Sequence, residues 1–445
     1  MRIKNSLAIQ TKIGRYRWTI CSLVFYATTI NYLDRQVISL LKPTLEKEFS
    51  WTESDYSNIV VAFQFAYALG MVGAGRIIDK IGTKLGYAIT LILWSFASIL
   101  HAFATGTLSF TFFRFLLGIT EAGNFPAAFK TIAEWFPRKE RAYAAGIFNS
   151  GTNIGAILGP LLVPYLAIHY SWKIAFIATG AIGFIWLIFW FLLYEVPSKQ
   201  KRLSKAEFDY IHSDQDDHSE VISQEERPEI SWIKLLLYKQ TWAFIAGKFL
   251  TDGIWWFLLF WLPAFLHEQY SLTGVQVSLP IAFVYTLAGV ASIFGGWLPM
   301  WFVKQKGWEI VRARKTSMLI YAFFPLLIIG SQDAGSFHMW YAIVIIGIAA
   351  SAHQAWSANL FTTVSDMFPK NSVGSVVGIG GMAGAIGGMV IAEVAGHLFD
   401  YYKALGNIQA GYYIVFFYCG IGYLIAWMIM FKLLVPKMTP VNYRG

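Results

Sequence analysis

The chain has 445 residues, of which 56% are hydrophobic, 17% aromatic and only 14% charged, whereas soluble proteins carry about 25% charged residues. This composition excludes a disordered chain and a nucleic-acid-binding protein despite the net charge of +9, and two cysteines cannot build a disulfide scaffold or a cysteine metal site. Apolar blocks of about twenty residues match the ~30 Å hydrocarbon layer of a bilayer. The composition therefore indicates a multi-pass membrane protein.

We predict twelve membrane-spanning helices from these blocks. In chain order they cover residues 17–40, 56–78, 85–104, 107–134, 141–167, 172–195, 240–267, 276–303, 313–331, 337–364, 371–398 and 409–435. Most Lys and Arg residues fall in alternate loops and at both termini, and only four lie on the other side, at Lys42, Lys47, Lys173 and Lys403. This asymmetry predicts that both termini are cytoplasmic.

A hydrophilic linker at 196–239 divides the chain into six-helix halves at 1–195 and 240–445. A loop in which glycine is followed by basic residues recurs once in each half, at 75–84 and again from Gly295 to Lys315. The recurrence suggests an internal duplication, and in transporters of that kind the substrate site lies between the halves near the middle of the membrane.

The loop Gly75-x-x-x-Asp79-Lys80-x-Gly82-x-Lys84 resembles the signature loop of the major facilitator superfamily. Two further segments resemble its anion:cation symporter branch: Asn31-Tyr32-Leu33-Asp34-Arg35, and Arg114-Phe115-x-x-Gly118-x-x-Glu121-Ala122. Segments 352–359, 364–370 and 377–382 resemble the hexuronate permeases. The resemblance implies an all-α membrane fold of two pseudo-symmetric six-helix bundles. It also implies that Gly75, Asp79, Lys80 and Gly82 form a conformational latch.

Charged residues in the middle of a span are costly, by about 2.5–3.5 kcal/mol each on insertion scales, and are therefore functional candidates. Arg114 and Glu121 are seven residues apart, so they share one helix face about 10.5 Å apart, too far for a direct pair. Arginine suits the binding of a carboxylate because its planar fork donates two bonds. A buried glutamate suits proton binding because loss of solvent favours its neutral form. Each could alternatively be neutralised by another helix.

Asp34 and Arg35 are neighbours in span one, so their side chains point about 100° apart and cannot face the same spot. By resemblance, Arg35 is a second contact for the substrate carboxylate and Asp34 a second proton site. The alternative for Asp34 is a salt bridge that fixes the position of its helix.

Sugar acids also present hydroxyl groups and C–H faces, which amides and aromatic rings can bind. The polar and aromatic candidates for lining the cavity are Tyr32, Gln64, Tyr67, His353, Trp356, Ser357 and Asn359. His353 has no second ligand at a spacing suited to a metal, so we predict no metal site.

Two further charged pairs at i,i+4 spacing, Lys248 with Asp252 and Glu393 with His397, are expected to satisfy each other. Glycines repeat at every fourth position in 151–159 and 380–388, which lets helices approach closely. The resemblance implies that the halves rock along contacts of this kind, while static packing is the alternative.

Together these features predict a proton-coupled transporter that imports a hexuronate such as galacturonate or glucuronate across the bacterial inner membrane, as a monomer without a cofactor. Another sugar acid such as galactonate, a non-sugar carboxylate, or coupling to Na⁺ are the alternatives within the transporter class. The chain has no P-loop and no nucleophile–base motif, which argues against ATP-driven transport and against a membrane enzyme. A membrane sensor is the remaining alternative.

Overall fold

The computed structural model describes residues 14–213, 232–368 and 370–441, and sixteen α-helices dominate these ranges. Before the linker lie α1 (Tyr16–Phe49), α2 (Glu53–Ile81), α3 (Thr83–Leu100), α4 (Thr107–Glu121), α5 (Asn124–Trp135), α6 (Arg138–His169) and α7 (Trp172–Leu193). The described parts of the linker contain the short helices α8 (Lys205–Ile211) and α9 (Trp232–Leu235). Residues 214–231 of the predicted linker lie outside the described residues.

The helices after the linker complete the fold. They are α10 (Lys239–Tyr270), α11 (Ser278–Lys306), α12 (Ile310–Phe323), α13 (Ser331–Phe337), α14 (Met339–Met367), α15 (Lys370–Ala404) and α16 (Ile408–Met428). Each predicted span coincides with helical structure, but two of them are interrupted. Span four breaks into α4 and α5 around Gly123, and span nine contains a 3₁₀ segment at Phe324–Gly330, where Pro325 removes a backbone donor.

Nine helical stretches in the described part of the chain are long and apolar enough to cross a bilayer. The predicted spans that fall outside this set are spans one, two and four, which correspond to α1, α2 and the α4–α5 pair. Spans one and four contain Asp34, Arg35, Arg114 and Glu121. Asp34 and Arg35 lower the hydropathy of span one, whereas span four falls outside the set because α4 and α5 have only 15 and 12 residues.

The glycine repeats let helices approach closely within each group of the fold. A Cβ atom added to Gly151 of α6 would lie 2.6 Å from the backbone oxygen of Phe25 in α1, so only glycine allows this approach. In the second group, Gly380 faces Phe244 and Gly388 faces Trp256, both on α10. Gly388 also lies close to Gln64 of α2 in the first group, and the expectation that the stripes form the rocking contacts stays a prediction.

The two groups of helices meet mainly through α2 with α15, α6 with α11 and α1 with α10. Where α2 begins, the carboxylate of Asp400 in α15 accepts hydrogen bonds from the backbone N–H groups of Glu53 at 2.7 Å and Ser54 at 2.8 Å. Lys403 adds an ion pair to Glu53 at 3.3 Å. We call Glu53, Ser54, Asp400 and Lys403 the inter-group junction.

Candidate functional site

A buried ion pair between α1 and α4 lies at the centre of the candidate site. Arg35 Nε donates to Glu121 Oε2 across 2.6 Å, and both side chains are essentially inaccessible, at 1% and 0% exposure. Glu121 Oε1 and Arg35 Nη2 have no further hydrogen-bond partner among the described residues. Each partner therefore keeps an unused polar atom in a region where an unsatisfied group costs about 1–3 kcal/mol.

Aromatic rings from both groups of helices surround the Arg35 guanidinium. Its Cζ lies 4.7 Å from the ring centroid of Tyr32 and 4.5 Å from that of Tyr67, both in the first group. Trp256 of α10 approaches from the second group at 5.5 Å, and Phe63 lies at 5.4 Å. These rings stabilise the cation through their negative faces. Arg35 therefore lies where the two groups of helices meet.

Arg114 lies beside this pair without joining it. Its Nη2 donates to the backbone oxygen of Arg35 across 2.6 Å, and its Cζ is 4.8 Å from the Phe63 ring. Its Nε and Nη1 groups have no hydrogen-bond partner in the described ranges, and the residue is fully buried. As the seven-residue spacing predicted, the described ion pair of Glu121 is with Arg35 and not with Arg114. Arg114 thus has two N–H donors available for an anion.

Asp34 faces a different part of the structure from Arg35. Its Oδ1 accepts a hydrogen bond from Ser98 Oγ of α3 at 2.9 Å, and its side chain is fully buried. This direction follows from the rotation of about 100° between neighbouring helical residues. The Ser98 hydroxyl thus holds the Asp34 carboxylate at α3 and not beside the Arg35–Glu121 pair. A role of Asp34 in proton coupling would therefore not involve direct contact with that pair.

Gln64 of α2 is a second buried polar group close to the boundary between the groups. Both its amide atoms lack hydrogen-bond partners among the described residues. Its Nε2 lies close to Gly388 of α15, 3.0 Å from where a Cβ atom on that glycine would stand. An amide can donate and accept at once, which suits the hydroxyl groups of a sugar.

In the second group, the candidates on α14 form a cluster with α10 and α16. His353 Nδ1 is 2.7 Å from the hydroxyl of Tyr423, and the imidazole stacks on Trp255 with ring centroids 4.9 Å apart. Trp356 packs edge-on against Tyr423 at 5.7 Å. The structure therefore brings His353 and Trp356 together, apart from the Arg35 cluster.

Asn359 and Ser357, two further candidates on α14, differ in their surroundings. Asn359 Nδ2 donates to the backbone oxygens of Gly295 at 2.6 Å and Ala355 at 2.9 Å, which ties α14 to α11. The amide nitrogen is thus used in helix packing. Ser357 is half-buried on the same helix.

The two i,i+4 pairs form as expected from their spacing. Lys248 and Asp252 make an ion pair on α10. His397 Nε2 lies 3.1 Å from Glu393 Oε1 on α15, where both side chains are exposed. His397 Nδ1 also contacts Ser54 Oγ at 3.1 Å, next to the inter-group junction.

The loop predicted as a latch lies at the opposite end of α2 from the inter-group junction. Gly82 ends α2 with φ of +86°, a backbone conformation that favours glycine, and its N–H donates to the oxygen of Ile78 at 3.0 Å. Gly75 is half-buried in α2 and Lys80 is exposed. The side chain of Asp79 lies outside the described part of the structure, so the latch stays a prediction.

Sequence reasoning missed two aromatic residues of the site, Phe63 and Phe260, which contact the guanidinium groups. Trp256 contacts Arg35 as well, and the sequence favours neither it nor its neighbour Trp255. Helical spacing offers one signal, since Phe63 lies one turn before Tyr67 and Phe260 one turn after Trp256. That signal is weak in a chain with 77 aromatic residues, 36 Phe, 23 Tyr and 18 Trp.

Curated relatives cover most of the chain. A "Hexuronate transporter" of Escherichia coli (strain K12) is 33% identical over 390 residues, which is 87% of this chain and 89% of that protein. A "Galacturonate transporter" of Dickeya chrysanthemi is 33% identical over 341 residues, 77% of this chain and 96% of that protein. A "D-galactonate transporter" of Escherichia coli O6:H1 is 30% identical over 393 residues, 87% of this chain and 90% of that protein.

The fold also has counterparts among solved structures. A bacterial homologue of the human lysosomal transporter Spinster, crystallised in an inward-facing and occupied conformation, superposes with a TM-score of 0.74. It is 16% identical, and the match covers 97% of this chain and 100% of that one. At this identity the likeness concerns the fold alone.

The family model of the Major Facilitator Superfamily matches residues 24–392, from α1 into α15. This match and the relatives confirm the resemblance of the motifs and the all-α membrane fold. The protein is a multi-pass membrane transporter and not an enzyme. The chain belongs to the Major Facilitator Superfamily.

Proposed function

We propose that this protein imports a sugar acid, a hexuronate such as galacturonate or glucuronate, together with protons across the bacterial inner membrane. The names of the relatives support the substrate class, since two of them are a hexuronate and a galacturonate transporter. The chemistry of the central cluster supports it independently, because buried guanidinium groups suit a carboxylate.

The observation that carries the proposal is the ion pair between Arg35 and Glu121. A substrate carboxylate and the Glu121 carboxylate compete for the same guanidinium, because both accept from its N–H groups. A proton on Glu121 removes its negative charge and weakens its hold on Arg35. The anion then takes its place, so binding of the proton favours binding of the substrate.

Arg114 completes the anion site in this proposal. Its two unpartnered N–H donors face the same cluster as Arg35, and together the arginines can hold one carboxylate from two directions. Tyr32 and Tyr67 flank the guanidinium of Arg35 and offer hydroxyl groups to the sugar. Asp34, bound to Ser98, is the second proton site.

The transport cycle is alternating access between two bundles, 1–195 and 240–445, with both termini in the cytoplasm. The inter-group junction then lies on the periplasmic side, where its hydrogen bonds and ion pair hold that side closed. Opening must break these contacts and expose the Arg35 cluster to the periplasm. The protein works as a monomer, because each chain contains its own pair of bundles.

Galactonate is the second candidate substrate, favoured by the similarity to the D-galactonate transporter. Galactonate is an open-chain acid with one more hydroxyl group, whereas the hexuronates are cyclic. Competition of labelled galacturonate uptake by unlabelled glucuronate and galactonate separates the two candidates.

The test is uptake of labelled galacturonate into proteoliposomes under an inward proton gradient. The unmodified protein is expected to concentrate the sugar acid, and Glu121→Gln to bind it without concentrating it. Glu393→Gln, which removes an exposed acid of α15, is the matched control and should transport normally. If Glu121→Gln still concentrates galacturonate, Glu121 is not the coupling residue. If uptake requires Na⁺ and stops when choline replaces it, the coupling ion is Na⁺ and not the proton.

A further inference from the structure

The ion pair of Lys248 and Asp252 lies on the α10 face that turns towards the Arg35 cluster. Asp252 precedes Trp256 by one helical turn, about 6 Å along the axis, and Trp256 contacts the Arg35 guanidinium. Asp252 is also near enough to Tyr32 of α1 to act on it electrostatically. The pair therefore stands on the second-group side of the site, opposite the arginines of the first group.

The pair is buried between α10, α14 and α15. The Lys248 side chain is 7% exposed and lies over the Phe361 ring at 4.6 Å, whereas Asp252 is 17% exposed. Gly384 of α15 makes room for the Asp252 carboxylate, since a Cβ atom there would lie 2.5 Å from Oδ2. Lys248 is also close enough to His353 to act on it electrostatically.

Helix packing alone does not account for such a pair. Well-packed apolar residues in place of a buried ion pair often leave a protein equally stable or more stable, and each charge in a span adds an insertion cost. Within α10, Lys248 and Asp252 interrupt a membrane-spanning stretch that is otherwise apolar. The cost of these two charges therefore indicates a function other than helix packing.

The pair is suited to neutral hydroxyl groups rather than to a second charge. Its net charge is zero, the carboxylate accepts from hydroxyl groups and the ammonium donates to them. The stacked rings of Trp255 and His353 nearby provide an apolar plane of the kind that packs against the C–H face of a sugar. The arginines of the first group provide the complementary site for the carboxylate.

We propose that Lys248 and Asp252 bind the hydroxyl groups of the sugar acid while Arg35 and Arg114 bind its carboxylate. The proposal rests on the function proposed above and adds a direction: the substrate spans the two groups of helices, with its acid end at α1 and α4 and its hydroxyl end at α10. Selection of sugar acids over simple carboxylates then depends on α10.

The experiment compares two ligands of one ring shape. D-galacturonate carries hydroxyl groups, and tetrahydropyran-2-carboxylate has the same ring and carboxylate without them. Affinities are measured with the purified protein by ligand-induced thermal stabilisation, for the unmodified chain, Asp252→Asn, Lys248→Met and the double variant Lys248→Gln with Asp252→Asn. The double variant leaves no uncompensated charge, so it separates a folding defect from a loss of binding. Glu393→Gln of the exposed pair is the matched control.

The variants are expected to weaken galacturonate binding by about tenfold or more, as for lost hydrogen bonds to charged groups, and to leave tetrahydropyran-2-carboxylate binding nearly unchanged. Equal losses for both ligands, or unchanged galacturonate binding in the double variant, would overturn the inference alone. Failure of the unmodified protein to bind any sugar acid would overturn the proposed function as well. The two failures are thus distinguished by the unmodified chain.

Discussion

Asp400 of α15 caps the first turn of α2, with its Oδ1 2.7 Å from the backbone nitrogen of Glu53 in the other group of helices. The N-terminus of a helix exposes unpaired N–H groups and a partial positive charge, both of which a carboxylate stabilises. The same turn also has a cap of its own, because Asp55 Oδ2 accepts from the N–H of Thr52 at 2.9 Å. One helix start thus carries a cap from its own chain segment and a cap from the opposite group.

The first prediction uses these two caps as a matched pair. Asp400→Asn weakens a contact between the groups, whereas Asp55→Asn weakens only the local cap of α2. Cys21 and Cys419 are first replaced, and spin labels are then attached at positions 47 and 401, where Lys47 and Tyr401 are both exposed. Pulsed electron paramagnetic resonance measures the distance between the labels and hence the separation of the two groups. We expect a population with a longer distance in Asp400→Asn and none in Asp55→Asn. Identical distance distributions in the two variants would show that Asp400 does not hold the groups together.

The second prediction concerns the stability of the central ion pair. Arg35→Gln leaves Glu121 buried without its cation, and removal of one partner of a buried pair costs about 3–5 kcal/mol. Adding Glu121→Gln removes the stranded charge, so the double variant should unfold at a higher temperature than Arg35→Gln alone. Thermal unfolding of the detergent-purified protein measures this. A double variant as unstable as the single one would mean that Arg35 stabilises the fold through its aromatic contacts instead.

The third prediction compares two glycines of α6. Gly155 packs against α1 so closely that a Cβ atom would overlap the backbone oxygen of Thr29, whereas nothing lies within 4 Å of the corresponding position at Gly146. Gly155→Ala should destabilise the protein by about 1–3 kcal/mol through overpacking. Gly146→Ala should be neutral or stabilise it by up to about 1 kcal/mol, because alanine favours helix. Equal melting temperatures would argue against the close approach of α6 and α1.

The fourth prediction concerns pH and an ion pair beyond the end of α7. The hydrogen bond from Lys84, whose Nζ lies 2.7 Å from Glu195 Oε2, lowers the pKa of Glu195. A lowered folded-state pKa stabilises the protein above the unfolded pKa of about 4.3, and this contribution is lost as the pH falls through the folded value. Both side chains are about one-third exposed, so Glu195→Gln should cost less than about 1 kcal/mol near neutral pH. The difference from the unmodified protein should vanish in acid, and a difference that grows in acid would contradict this assignment.

The sequence was most informative at charged residues that fall within the predicted membrane spans. Arg35, Arg114 and Glu121 stand out because ionised side chains are rare in spans, and the helical period alone predicted that Arg114 and Glu121 would not pair directly. The same period predicted that Asp34 and Arg35 face different neighbours, but which neighbour each meets depends on how α1 sits among α3, α4 and α10. That arrangement is tertiary and has no local signal.

Other features were beyond local reasoning for related reasons. The cap on Glu53 by Asp400 joins residues 347 positions apart, and neither residue differs in local pattern from an ordinary solvent-exposed acid. The use of the Asn359 amide in packing against Gly295 could not be separated from cavity lining, because a buried polar residue in a span serves either purpose. Trp255 and Trp256 are adjacent and both aromatic, so the sequence alone does not show that Trp256 contacts Arg35.

The pairing of Arg35 with Glu121 also has an electrical consequence for the empty carrier. With Asp34 and Glu121 ionised, the two carboxylates balance the guanidinium groups of Arg35 and Arg114, so the unloaded site has no net charge. In the proposed cycle, reorientation of the empty protein then moves no charge through the field of the membrane. Under that proposal the membrane voltage acts only on the loaded step, and only if more protons than substrate charges are carried.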